Sequence, residues 1–186
     1  WFKVRDISSS YSLIPYSNDQ KIVRNIYPNS YPCKTCPDYD FVITPSHIWK
    51  THSSFHTAYG CKVYRVNVTN GRTYLFKTGC GDGATADYDT RLFIYDNNCT
   101  QVAYDDDGCE KGRSKVTWKA TYTGYAYVNI DSWLMGKGSY TMAYYEYPDE
   151  LTWTGNTSTD WHTASNWDKG VIPDTSINVI IPGSAA

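Results

Sequence analysis

The feature that most limits what this chain can fold into is the kind of apolar residue it carries: 18 Tyr, 7 Trp and 5 Phe stand against five Leu in 186 residues. Aromatic and β-branched side chains pack well on a pleated surface and lose rotamer freedom on a helix, so a core built from them is a sheet core. Period-two alternation recurs along the middle of the chain, and no stretch sustains an amphipathic-helix repeat beyond about two turns. The fold class expected is all-β: an antiparallel β-sandwich or jelly roll of about seven or eight strands, with β-like flanking segments.

Charge removes two classes of function. Lys and Arg number 17 and Asp and Glu 19, a formal net charge of −2, which lacks the electrostatic footprint of a nucleic-acid binder. The apolar runs, such as Ile177-Asn178-Val179-Ile180-Ile181, fall far short of the roughly 20 residues needed to span a bilayer. Neither nucleic-acid binding nor membrane insertion is expected. The chain opens on Trp1 with no initiator Met or signal peptide, which reads as a mature or excised part of an exported protein. On that reading the location is extracellular or cell-surface, and the six Cys are disulfides rather than metal ligands or free thiols.

Three zones separate by composition. Residues 1–32 hold two short β-like runs broken by Ser8-Ser9-Ser10 and Pro15 and closed by Pro28 and Pro32, as in a linker or the tail of a preceding unit. Residues 33–147 form a continuous series of strands and turns, the core domain. Residues 148–186 change to a Trp-, Thr- and Asn-rich texture with no evident partner strand or core, as in the truncated opening of a following Trp-rich β repeat or solenoid domain.

Within the core zone, Tyr64, Val66 and Val68 alternate with polar residues, Asn70-Gly71 intervenes, and Tyr74 and Phe76 alternate in turn, which predicts a hairpin. A two-residue loop would place Cys61 opposite Cys80 but put Tyr74 and Phe76 on the wrong face. A three-residue loop with a Gly bulge pairs Tyr64 with Phe76 and Val66 with Tyr74, leaving Cys61 and Cys80 one residue out of register. A Cys61–Cys80 bridge is therefore expected if the strand ends relax. Cys99 and Cys109 flank the strand near 100–104 and its acidic loop and form the natural second pair, with Cys33–Cys36 a weak third. Further strands are read at 91–95, 115–121, 125–130 and 139–145.

The ordered motifs Cys61-Lys62-Val63-Tyr64, Phe76-Lys77-Thr78-Gly79-Cys80-Gly81-Asp82-Gly83, Ala86-Asp87-Tyr88-Asp89-Thr90-Arg91-Leu92, Tyr104-Asp105-Asp106-Asp107-Gly108-Cys109, Gly124-Tyr125-Ala126-Tyr127-Val128 and Gly138-Ser139-Tyr140-Thr141 resemble the bacterial pre-peptidase C-terminal (PPC-like) β-sandwich family. The Cys-containing type, found in large secreted surface proteins of Bacteroidota, is the nearer likeness, and it covers roughly residues 33–147. The tail is similar to Trp-rich segments that introduce β-solenoid or repeat regions in such proteins. The resemblance implies a non-catalytic accessory or structural module. Family members accompany secreted peptidases, collagen- or carbohydrate-binding architectures and long adhesins, and some bind Ca²⁺.

The sharpest candidate site is acidic: Asp87, Asp89, Asp105, Asp106 and Asp107, with Asp82 nearby. Ca²⁺ takes six to eight oxygen ligands, and two acidic loops at one end of a sandwich supply them, although no EF-hand spacing is present. The competing reading is that these Asp are turn residues bonded to local backbone N–H groups. Carboxylates packed without a cation repel one another, which favours Ca²⁺ as cofactor. Cys33-x₂-Cys36 with His52-x₃-His56 formally fits a zinc spacing, but no helix is evident to hold both imidazoles on one face, and disulfides are preferred. Gly79, Gly81 and Gly83 spell G-x-G-x-G with no helix following, so they are turn glycines rather than a phosphate cradle. Trp49, Trp118, Trp133, Tyr144 and Tyr145 are either core or a platform for sugar rings. No nucleophile–base or catalytic-metal motif is present, and no enzymatic activity is expected.

The function expected is a non-catalytic structural or adhesive module of a long secreted protein, stabilised by Ca²⁺ and disulfides. The alternative is a carbohydrate- or collagen-binding accessory module of a secreted hydrolase. Expected partners are neighbouring domains of the same polypeptide, with surface glycans or extracellular matrix as further candidates.

Overall fold

The computed structural model describes residues 34–57, 60–173 and 177–183, all within one compact unit that begins at Pro32. Residues 1–32, read above as a linker or tail, lie outside the described residues. Ten strands build two sheets. The first has the order β1 (Phe41–Ile43), β3 (Lys62–Val68), β9 (Gly124–Ser132), β6 (Thr90–Tyr95), β7 (Gln101–Asp105). The second has the order β2 (Lys50–His56), β10 (Gly138–Glu146), β4 (Thr73–Lys77), β8 (Lys115–Lys119), with the short β5 (Thr85–Ala86) also on β10. Pairing is antiparallel throughout both sheets except between β1 and β3. The expected β-sandwich is the observed fold.

Alternation puts the core between the sheets. Tyr64, Val66 and Val68 of β3, Leu92 and Ile94 of β6, and Ala126, Val128 and Ile130 of β9 meet Tyr74, Phe76, Val116, Trp118, Tyr140 and Met142 from the second sheet. A Tyr-rich core must satisfy its hydroxyls. The Tyr64 and Tyr140 hydroxyls lie 2.6 Å apart, and His52 Nδ1 sits 3.1 Å from the Tyr64 hydroxyl. β2 escapes sequence pattern-reading because its inward positions are His52, Ser54 and His56, while Phe55 points out to solvent and is 53% exposed.

The predicted β3–β4 hairpin does not form. β3 pairs with β1 and β9, and β4 with β8 and β10, so the Asn70-Gly71 turn carries the chain from one sheet to the other. Gly71, at φ +84°, donates its N–H to the Ala120 carbonyl at 2.8 Å. The alternation that pointed to facing aromatic residues holds, but they face across the sandwich rather than along a ladder. An arch and a hairpin bury the same side chains, and only the ladder partners tell them apart.

That crossing overturns the expected cysteine pairs. The bonds are Cys36–Cys99 and Cys80–Cys109, with Cα–Cα distances of 5.6 and 5.4 Å. Cys61–Cys80, Cys99–Cys109 and Cys33–Cys36 are each excluded by these partners. Cys61 and Cys80 flank strands of different sheets. Cys99 sits in the β6–β7 turn, where the 34–40 segment packs Cys36 and Tyr39 over Val63, Tyr127 and Tyr95 on the outer face of the first sheet. Cys61 is also disulfide-bonded.

The tail has more structure than its sequence suggests. β11 (Glu150–Thr152) pairs in parallel with β12 (Asn178–Ile180), each residue lying opposite one 28 positions further on. Leu151, Trp167 and Ile177 form a small buried cluster with Tyr147, Trp153 and Val171 against it. Trp153 and Trp161 stack at 5.9 Å, and Trp167 stands edge-on to both. The expectation of a segment without partner strand or core is thereby corrected.

Candidate functional site

The acidic residues part company in three dimensions. Asp89, at the entry to β6, meets Asp106 and Asp107, just beyond β7, because β6 and β7 are ladder neighbours. One carboxylate oxygen from each lies within 4.8 Å of the others. Two of these groups carry an oxygen that is buried and has no hydrogen-bond partner, Asp89 Oδ1 and Asp106 Oδ1. The second Asp106 oxygen accepts the Tyr104 hydroxyl at 2.9 Å. Burial first, then the charges of Asp106 and Asp107, push the Asp89 carboxyl above the usual carboxylate range.

The surroundings hold this group in place. Gly112, at φ +68°, lets the backbone lie directly on Asp89: a Cβ there would fall 2.8 Å from the carboxylate. The Gly112 carbonyl accepts the Thr90 N–H at 2.8 Å. Ser114, fully buried, donates its hydroxyl to the Asp106 carbonyl at 2.9 Å and its backbone N–H to the hydroxyl oxygens of Thr78 and Thr90 at 3.1 and 3.2 Å. The Cys80–Cys109 bond anchors the same loop. Sequence reading missed Gly112, Ser114 and Tyr104 as parts of this site. The one local signal is a Gly-Arg-Ser run a few residues after the acidic loop.

The other candidates go elsewhere. Asp105 Oδ2 accepts the backbone N–H groups of Gly108 at 2.9 Å and Lys115 at 2.7 Å, so it is a turn former of the kind the competing reading described. Asp87 lies on the outer face of the second sheet, folded onto Gly138, and is not in the group with Asp89. Asp82 ion-pairs with the buried Lys77. Of the five candidate Asp, three come together. Alternation along a continuous strand would put Asp87 and Asp89 on one side, but β5 ends at Ala86, before β6 begins at Thr90.

The zinc spacing is dismantled by the Cys36–Cys99 bond, which occupies one of its thiols. His52 and His56 serve the core: His52 faces the Tyr64 hydroxyl, and His56, 1% exposed, stacks on Tyr88 at 5.1 Å. Gly81 and Gly83 occupy turn conformations with φ near +80°. Gly79 is a close-packing site, where a Cβ would meet the side chains of Arg113 and Cys109 within 3 Å. The five aromatic residues read as a sugar platform are not one surface. Trp118, Tyr144 and Tyr145 are buried, Trp49 packs on Tyr145 at 4.9 Å under the Lys77 ammonium, and Trp133 is half-exposed beside Arg91.

A divalent oxygen-seeking cation fits the Asp89–Asp106–Asp107 group. Three carboxylates with two orphaned buried oxygens form a hard-donor set with unmet demand for positive charge. Two carboxylates at this separation repel by about 3 kcal/mol at an effective dielectric of about 20, a figure that solvent screening at the exposed Asp107 lowers.

No protein-family model matches the chain, and no curated protein matches it. Among solved structures it is similar to the pre-peptidase C-terminal domain of a collagenase from Bacillus anthracis, at 12% identity and TM-score 0.43 over 57% of this chain and 96% of that one. It is also similar to PliG from Aeromonas hydrophila, a periplasmic inhibitor of g-type lysozyme, at 9% identity and TM-score 0.43 over 58% of this chain and 100% of that one. PliG from Salmonella Typhimurium is similar at 9% identity and TM-score 0.39, over 58% of this chain and 99% of that one. What these domains act on does not pass to this chain at such identities and scores.

Proposed function

We propose that residues 33–147 form a non-catalytic structural or adhesive module of an exported protein, whose acidic end is closed by a Ca²⁺ ion held by Asp89, Asp106 and Asp107. The observation that carries the reading is the pair of buried, unpartnered carboxylate oxygens, Asp89 Oδ1 and Asp106 Oδ1, converging with Asp107. Carbonyls and water complete the coordination, as Ca²⁺ tolerates. The disulfides support an oxidising compartment outside the cytoplasm. The tail, residues 148–186, reads as the beginning of a following β unit, supported by its own parallel strand pair and its small buried cluster of Leu151, Trp167 and Ile177.

Thermal unfolding with and without chelator tests the cation. An ion that binds the folded state alone adds RT ln(1 + [L]/Kd), about 2.7 kcal/mol at a hundredfold excess, or about 5–10 °C in Tm for a domain of this size. Asp89→Asn and Asp106→Asn are expected to abolish the calcium-specific shift while Mg²⁺ at matched ionic strength reproduces none of it. An unchanged Tm in chelator, with both variants behaving as the parent, refutes the reading and leaves these Asp as loop formers.

A further inference from the structure

On the outer face of the second sheet, β2, β10 and β5 line a groove of about 500 Å³, and strand register arranges its side chains in two rows. Phe55 lies opposite Ser139 on β10, and Asp87, whose N–H bonds to the Ser139 carbonyl at 3.2 Å, flanks Ser139 on the other side. Two residues along, Ser53 and Thr85 both pair with Thr141. The groove therefore has an aromatic wall, a carboxylate wall and a floor of hydroxyls.

The walls are free to act. Phe55 is 53% exposed. The Asp87 carboxylate is exposed and makes no hydrogen bond or ion pair among the described residues. It rests on the bare Cα of Gly138, where any side chain would displace it. With strands about 4.8 Å apart, the backbones that carry Phe55 and Asp87 stand about 10 Å from each other across Ser139, and the Asp87 carboxylate leans from its strand towards Gly138 on β10.

We propose that this groove binds a hexopyranose unit of a glycan, one without an acidic group. The apolar C–H face of the ring covers Phe55, and its hydroxyls donate to Asp87 and exchange hydrogen bonds with Ser53, Ser139 and Thr141, directly or through water. A single apolar residue ringed by hydroxyls is a poor seat for a protein hot spot, which needs a desolvated cluster. The negative wall, with no cation in the groove lining, repels uronic and sialic acids. The groove is separate from the Asp89–Asp106–Asp107 group, so the proposal goes beyond the calcium reading and does not rest on it.

The test is NMR titration of the full chain with cellobiose, N,N′-diacetylchitobiose, lactose and galacturonic acid, each run in calcium and in chelator. The expected result is a dissociation constant on the order of 1 mM for at least one neutral disaccharide, with shifts confined to Phe55, Asp87, Ser139 and their neighbours, and none for galacturonic acid. Phe55→Ala is expected to weaken binding at least about tenfold, and Asp87→Asn to weaken it as well. Both positions are exposed, so Tm should be unchanged. Silence of the groove residues toward every neutral sugar up to about 50 mM overturns the proposal. So does binding that survives Phe55→Ala, equal binding of galacturonic acid, or Phe55-dependent self-association in place of sugar binding. Persistence of the shifts in chelator, or their absence in the presence of a calcium-dependent Tm, separates failure of this site from failure of the cation reading.

Discussion

Replacing Cys36 and Cys99 together with Ala removes a bond that joins residues 63 apart in sequence, from the approach to β1 to the β6–β7 turn. In the chain-entropy model a loop of that length restricts the unfolded ensemble by about 4.3 kcal/mol, and the 29-residue separation of Cys80–Cys109 by about 3.6 kcal/mol. At about 2–4 °C per kcal/mol for a chain of this size, the Cys36/Cys99 variant should melt about 9–17 °C below the parent. The two bonds also differ in what they hold. Cys80–Cys109 anchors the loop that carries Asp106 and Asp107, so its loss should weaken the calcium response, whereas loss of Cys36–Cys99 should leave that response intact. Differential scanning calorimetry and urea unfolding measure the stability, and non-reducing peptide mapping identifies the bonds. A map joining Cys99 to Cys109 or Cys61 to Cys80, or a stability loss under about 1 kcal/mol for the Cys36/Cys99 variant, would refute the reasoning.

Two further perturbations follow from buried polar groups. Burial lowers the His56 pKa against only partial compensation from Asp131, with Lys62 opposing and Tyr88 stacked on the ring. The unfolded chain therefore takes up a proton that the fold resists. Stability should be full above about pH 7 and fall as pH drops through about 6.5, by up to about 1.4 kcal/mol per pH unit, a slope that His56→Gln flattens in urea titrations. In the tail, the fully buried Asn166 accepts from the Thr157 and Ser158 N–H groups at 2.8 and 2.9 Å and donates to Ser158 Oγ and the Asp160 carbonyl, both at 2.9 Å. Asn166→Ala should cost about 2–4 kcal/mol of local stability, read as faster amide exchange at Thr157 and Ser158 with β3 and β9 unchanged.

Much of the fold can be read from local pattern. Alternation at Tyr64, Val66 and Val68, at Leu92 and Ile94, and at Ala126, Val128 and Ile130 marks the inward face of each strand without reference to any neighbour, because a period of two requires only a pleat with one side buried. The β6–β7 hairpin around Asp96-Asn97-Asn98 is equally local, since the turn and both strands are contiguous. The same pattern is blind to β2, whose inward His52, Ser54 and His56 are polar residues accommodated by a Tyr-rich core.

Which strands lie side by side is another matter, and the site depends on it. Asn70-Gly71 suits a hairpin and an arch alike. The choice goes to the arch because β3 and β4 each find two other partners that bury both edges. That choice separates Cys61 from Cys80 and brings Cys80 to Cys109, while the strand order of the first sheet brings Cys36 to Cys99. It also divides the acidic residues. A composition rich in Asp at two loops announces a negative end to the sandwich, but ladder pairing of β6 with β7 selects Asp89, Asp106 and Asp107. The break between β5 and β6 turns Asp87 to the opposite sheet, and two backbone N–H groups claim Asp105. Strand faces follow from each residue's immediate neighbours in the chain. Disulfide partners and carboxylate clusters follow from contacts between segments far apart in sequence, which are decided only when the sheets close on one another.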